Sequence, residues 1–231
     1  MQRISCQIES LTPFSDTVFR VLLKPQSRVE FKAGQYLKVV MSEEDKRPFS
    51  IASLADDDHI ELHIGAFGPD SWAMQVIDRL EATDEIDIEL PGGEAFLDET
   101  SQAPVVLVAG GTGFSYTNAI LQRLLKAQPQ RQVTLYWGGK IPEALYMHDA
   151  MAALAREHQQ FRYVPVVEDA PEHWDGEAGL VVEAVVHQLK TLGDYQFYIA
   201  GRFEMAGVAR ELFLEHGADR ANIKGDAFAF I

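Results

Sequence analysis

Two short runs combine residue types at spacings that suit ligand chemistry. The first is Gly110-Gly111-Thr112-Gly113, which follows the apolar run Val105–Ala109. Ala119, Ile120, Leu121, Leu124 and Leu125 come next at helical spacing, predicting a helix over Tyr116–Ala127. A buried strand, a glycine turn and a helix start bring backbone N–H groups and the positive end of a helix dipole to one point. Small residues there let a diphosphate approach the backbone. The chemistry implied is the binding of a dinucleotide. The run is not G-x-G-x-x-G, because Tyr116 takes the third glycine's place, and no Gly-Lys-Ser/Thr follows as in a P-loop. The second run is Arg47-Pro48-Phe49-Ser50. Pro48 fixes φ and supplies no N–H, which predicts an edge strand or a bend. Taken alone, this run is equally a core Phe49 beside a solvent-facing Arg47.

Other chemistries find less support. The seven histidines, His59, His63, His148, His158, His173, His187 and His216, form no H-E-x-x-H or Cys/His cluster, so no metal site is expected. Cys6 is the sole cysteine, which excludes an intrachain disulfide and a cysteine-held iron–sulfur cluster. Lys140, after Gly138-Gly139, is either a solvated lysine or a partner for a ribose 2′-phosphate.

The elements that hold these runs fall into two groups. Ile4–Ile8, Val18–Leu22, Tyr36–Met41, Ile60–Ile64 and Ile86–Leu90 read as short strands separated by turn residues, which suggests a small antiparallel barrel. One helix, Ser71–Leu80, interrupts them, with Trp72, Val76, Ile77 and Leu80 on one face. The polar stretch Asp98-Glu99-Thr100-Ser101-Gln102 reads as a linker. Beyond it, strands near Val105–Val108, Val133–Trp137, Arg162–Val167 and Gln196–Ile199 alternate with helices. Those helices fall near Tyr116–Ala127, Ala144–Glu157, Val181–Leu189 and Met205–His216. That rhythm predicts a parallel α/β sheet. The expected organisation is two-domain, with a β-barrel over residues 1–99 and an α/β domain over residues 100–231. Gly110, Gly138 and Gly201 each follow a strand, so they should cluster at the carboxyl edge where such sheets bind ligands.

Composition narrows the partners. The 231 residues carry 35 acids against 20 bases, a formal charge of −15, which argues against nucleic acid and anionic membranes. The start of the chain, Met1–Cys6, lacks a long apolar region, and no stretch approaches a membrane span. A soluble, cytoplasmic monomer is expected.

The two runs together resemble the ferredoxin–NADP reductase superfamily, and within it the bacterial NAD(P)H:flavin oxidoreductases. Phe31–Tyr36, Arg47–Ser53, Glu61–Gly65, Ala109–Tyr116, Tyr136–Gly139, Ala200–Ala206 and Gly225–Ile231 all carry the resemblance. It implies a flavin-binding barrel and an NAD(P)-binding α/β domain. It implies that Arg47, Pro48, Phe49 and Ser50 line the flavin, with Ser50 at isoalloxazine N5 as the catalytic contact. It places His63, Ile64 and Gly65 along the flavin edge, and Gly110, Gly111, Thr112, Gly113 and Phe114 at the pyridine nucleotide. It assigns Gly201, Arg202 and Met205 to a loop bordering the nicotinamide, and Asp226, Phe228 and Phe230 to a tail that returns to the flavin. The implied cofactors are NAD(P)H and a flavin: riboflavin, FMN or FAD.

The departures also inform. Phe49 lacks the phenolic hydroxyl of members that hold FAD tightly. In Gly68-Pro69-Asp70-Ser71, Asp70 puts a carboxylate where a flavin diphosphate would sit, or else caps the helix. Ala200-Gly201 replaces the Cys-Gly of many relatives. Phe49 and Asp70 favour an exchangeable flavin, released reduced to a consumer such as a flavin-dependent monooxygenase or luciferase, and Ala200-Gly201 leaves no thiol to contact the nicotinamide. An FAD-holding reductase that feeds a protein partner, and a non-catalytic flavin- or nucleotide-binding subunit, are the alternatives.

Overall fold

The alternation of apolar and polar residues in the first ninety positions buries one face of each strand. The computed structural model describes all of residues 1–231. Strands β1 (Gln2–Ser15), β2 (Val18–Pro25), β3 (Tyr36–Val40), β4 (Lys46–Ser50), β5 (Ile60–Gly65) and β6 (Glu85–Gly92) pair antiparallel in the order β4-β3-β6-β1-β2-β5. A bridge between Ile51 and Leu62 joins the two outer strands and closes the sheet into a barrel. Val21, Leu23, Leu37, Val39, Leu62, Ile64 and Ile88 fill its interior. Each such side chain contributes about 1.5–3 kcal/mol by leaving water. Pro48 lies in β4 opposite Lys38, on an outer strand where its missing N–H breaks no central ladder.

Helix α1 (Trp72–Glu81) plugs one end of the barrel with Ala73, Val76, Ile77 and Leu80. Ser71 caps it, its hydroxyl accepting the Met74 N–H at 3.1 Å. Asp70 is therefore not the cap and stays exposed. Trp72 departs from the expected apolar face. It is half exposed, with its ring 5.2 Å from that of Phe49 and 5.5 Å from the Arg47 guanidinium.

The second half alternates β7 (Val105–Gly110), α2 (Phe114–Ala127), β8 (Val133–Gly139), α3 (His148–Glu157) and β9 (Phe161–Val167). It continues with β10 (Glu177–Ala178), α4 (Val181–Gln188), β11 (Gln196–Ala200), α5 (Phe203–Glu215) and β12 (Ile223–Lys224). All its pairs are parallel, in the order β10-β9-β8-β7-β11-β12. The helix expected over Ala144–Glu157 is split. A 3-10 turn covers Pro142–Ala144, the buried Leu145 turns inward, and α3 starts at His148. β10 and β12 have two residues each, too few to leave a period in the sequence.

This strand order puts a switch point at β7. The chain builds outward through β8, β9 and β10, then returns on the other side of β7 as β11. Ligands of doubly wound sheets bind at the carboxyl end of such a strand, and Gly110 ends β7. The barrel packs firmly on this sheet. Ala33, Leu54 and Leu97 share one apolar core with Tyr116, Ile120 and Leu124 of α2. The Asp98–Gln102 stretch is pinned rather than loose. Buried Arg131 donates to the carbonyls of Ala103 (2.7 Å) and Asp98 (3.0 Å) and to Gln196 Oε1 (2.8 Å). No helix is long and apolar enough to cross a membrane.

Candidate active site

The glycine corner forms as its spacing predicts. Gly110 lies opposite Gly138 in register, and a Cβ on Gly201 would stand 3.3 Å from the Gly110 Cα. Met205 covers this corner: its sulfur lies 2.7 Å from where a Gly110 Cβ would be. Arg202 is exposed at the start of α5. Gly111–Gly113 form a 3-10 turn into α2. Gly111 has φ +53° with nothing within 4 Å of a would-be side chain, so its backbone opens to a bound group. Gly113 has no such room, because a Cβ there would drive into the Ala200 carbonyl. The Trp137 indole N–H donates to the Gly111 carbonyl at 2.9 Å and holds the turn from behind.

The barrel brings its own residues to this corner. Ser50 pairs with Tyr36 and directly precedes the Ile51–Leu62 bridge, so β4 runs beside the end of β5. A Cβ on Gly65 would stand 2.8 Å from the Thr112 methyl. The Asn118 amide donates to the Ala52 carbonyl at 3.1 Å, and Ser115 Oγ lies 3.4 Å from the His63 carbonyl. The start of α2 therefore seats on the strands that bear Ser50 and Gly65.

Several of the expected site side chains are buried. Arg47 is buried, and its guanidinium donates to Asp45 (2.6 Å), the Trp72 carbonyl (2.6 Å) and Gln75 (2.8 Å). It braces β4 against α1. Phe114 is fully buried, stacked on Trp137 at 3.9 Å. Ile64 points into the barrel core. The His63 side chain has no exposure at all. Pro48 is exposed, and Phe49 and Ser50 are half-buried.

The tail does return to the barrel, through Asp226. Its carboxylate lies 2.8 Å from a would-be Gly93 Cβ, next to the Tyr36 ring. Burial pushes its pKa up to about 6. Phe228 instead packs toward α5, under the Arg210 guanidinium at 5.2 Å. Phe230 is 72% exposed and stacks on Phe203 at 5.8 Å, so neither ring covers the barrel in this arrangement.

One polar cluster escaped sequence reasoning. His63 Nε2 lies 2.8 Å from Glu61 and Nδ1 lies 3.0 Å from the Tyr146 hydroxyl. Glu61 also takes a 2.7 Å bond from Arg20. Burial raises the Glu61 pKa, but the bonds from His63 and Arg20 outweigh it and hold the value down to about 2. Burial likewise pushes the Tyr146 hydroxyl well above the usual range. No motif marks Tyr146, because its partner lies 83 residues away.

The chain is similar to known proteins in sequence and in fold. The oxidoreductase NAD-binding domain matches residues 107–211, which contain the glycine corner. An NAD(P)H-flavin reductase of Aliivibrio fischeri is 46% identical over 99% of both chains. The chain belongs to the NAD(P)H-flavin reductase family. A second member, from Vibrio harveyi, is 43% identical over 99% of both chains. Among solved structures, a cytochrome P450 reductase from Amycolatopsis superposes with a TM-score of 0.88 at 26% identity. That match covers 97% of this flavin reductase homologue and 69% of the Amycolatopsis chain. A ferredoxin NADP+ reductase from Neisseria gonorrhoeae shares the fold, with a TM-score of 0.80 at 21% identity over 97% and 98% of the two chains.

Proposed function

We propose that this flavin reductase passes a hydride from nicotinamide C4 of NAD(P)H to N5 of a flavin that arrives and leaves as a substrate. The meeting of Thr112 with Gly65 carries this reading, because it sets the dinucleotide corner against the strand beside Ser50. The two ligands supply the electronic chemistry; the protein stacks and orients them. Ser50 donates a hydrogen bond at N5, which favours the reduced form. The open backbone of Gly111 and the start of α2 receive the dinucleotide phosphates. Gly201 and Met205 border the nicotinamide.

The weak hold on flavin has a physical basis. Arg47 is spent on Asp45 and the start of α1, and Asp70 adds an exposed carboxylate there. A flavin phosphate would have to compete with Asp45 for Arg47 at that position. Riboflavin, FMN and FAD therefore share one isoalloxazine site, and the reduced flavin diffuses to a flavin-dependent monooxygenase or luciferase. We place this activity in a cytoplasmic monomer. Protein purified without added flavin should be colourless and should oxidise NADH rapidly once riboflavin or FMN is supplied. A yellow, stoichiometric protein whose rate ignores added flavin would overturn this reading in favour of a bound-FAD reductase.

A further inference from the structure

The Tyr146–His63 bond joins segments from the two ends of the site. His63 lies in β5, two residues before Gly65 and its contact with Thr112. Tyr146 closes the loop that leaves β8 after Gly139, where a sheet of this topology places the far half of a dinucleotide. The imidazole is fully buried, so both ring nitrogens need partners. Glu61, kept ionised by Arg20, can only accept. Nε2 therefore donates to Glu61, and Nδ1 pairs with the Tyr146 hydroxyl. The rings of Phe14 (5.1 Å), Trp137 (5.1 Å) and Phe114 (5.8 Å) crowd the phenol and leave little room for water to substitute.

We propose that Tyr146 is a positioning residue that couples the two ligand sites: ordering the loop over 139–147 fixes His63, and with it the flavin strand, so each ligand tightens the other. This inference rests on the site assignment made above. A loop displacement strips a partner from a buried ring nitrogen, which ties the loop's position energetically to that of β5. The coupling must then be reciprocal.

Riboflavin binding to the full protein is followed by fluorescence, with and without saturating NAD+, an oxidised pair that cannot react. The expected result is that NAD+ tightens riboflavin about fivefold or more. In Tyr146→Phe that factor falls to within about twofold of unity, in a protein that still unfolds cooperatively at a melting temperature a few degrees lower. Tyr163→Phe is the control, since it removes a similar bond to His148 (3.2 Å) inside one half, and it leaves the factor unchanged. Equal coupling in Tyr146→Phe and wild type, or no coupling in wild type, overturns the proposal. Should Tyr146→Phe fail to fold, amide exchange on the wild type decides. NAD+ alone then slows exchange across 60–65, and protection confined to the α/β half overturns the idea. The same preparation is assayed for riboflavin reduction by NADH. Absent turnover would strike the proposed function, whereas turnover without coupling strikes only the role of Tyr146.

Discussion

Ser50 carries the chemical claim, and its test separates binding from catalysis. A hydrogen bond to a group gaining charge is worth about 1.5–3 kcal/mol, so Ser50→Ala should lower kcat about 10- to 100-fold. The flavin KM should stay within about twofold of wild type, because the bond strengthens only as N5 is reduced. Steady-state kinetics with riboflavin reads both. Asp226 makes a separate prediction about pH. Its pKa rises from 3.8 to about 6 on folding through burial. A carboxyl raised in this way stabilises the fold below its unfolded pKa, and that contribution is lost as pH rises through about 6. Asp226→Asn should therefore melt higher than wild type above pH 6, with the gap closing by about pH 4 in thermal melts. At this level the sequence disclosed residue types better than side-chain directions. Arg47, His63 and Phe114 lie in runs that carry the family resemblance, yet each turns inward to a partner remote in sequence: Gln75, Tyr146 and Trp137. Such partners leave no local period or motif to read.

The turn between β7 and α2 owes its shape to two glycines with different duties. Gly113 is packed against backbone, and Gly111 is open with φ +53°. Gly113→Ala forces a methyl into the Ala200 carbonyl, which cannot swing aside as a side chain would. The cost of about 1–3 kcal/mol or more should appear as a lower melting temperature and poor expression. Gly111→Ala meets no atom and pays only the left-handed penalty of about 1–2 kcal/mol. It should fold, and the new methyl should raise the KM for NADH while leaving that for riboflavin unchanged. A pair of variants that behave alike in both assays would contradict this division. The long elements were legible because each buries one face at a regular period: α2, α5, β2, β3, β5 to β9 and β11 fall within a few residues of expectation. The misses have local causes. Leu145 breaks the start of α3 by packing inward, β1 runs on through Thr12-Pro13 to Ser15, and β4 was legible only as the edge or bend that Pro48 requires.

The molecule as a whole depends on two sheets clamped so that their ligand edges coincide. The shared core of Ala33, Leu54 and Leu97 with α2 provides the clamp, and Arg131 fixes the crossing between the sheets. Sequence rhythm disclosed both architectures, barrel and doubly wound sheet. The relative placement was legible only through the family resemblance, since contacts such as Asn118 with Ala52 and Thr112 with Gly65 span distant residues. The account stands on direct transfer between a nicotinamide and a flavin stacked in that seam. Stopped-flow mixing of the protein and free riboflavin with NADH deuterated at C4 tests this most directly. Flavin bleaching should be slower for one deuterated face than for the other, by about two- to fivefold as for a primary isotope effect on a rate-determining transfer. Bleaching that is equally fast for both deuterated faces and for unlabelled NADH, and that persists in Ser50→Ala, would contradict the account.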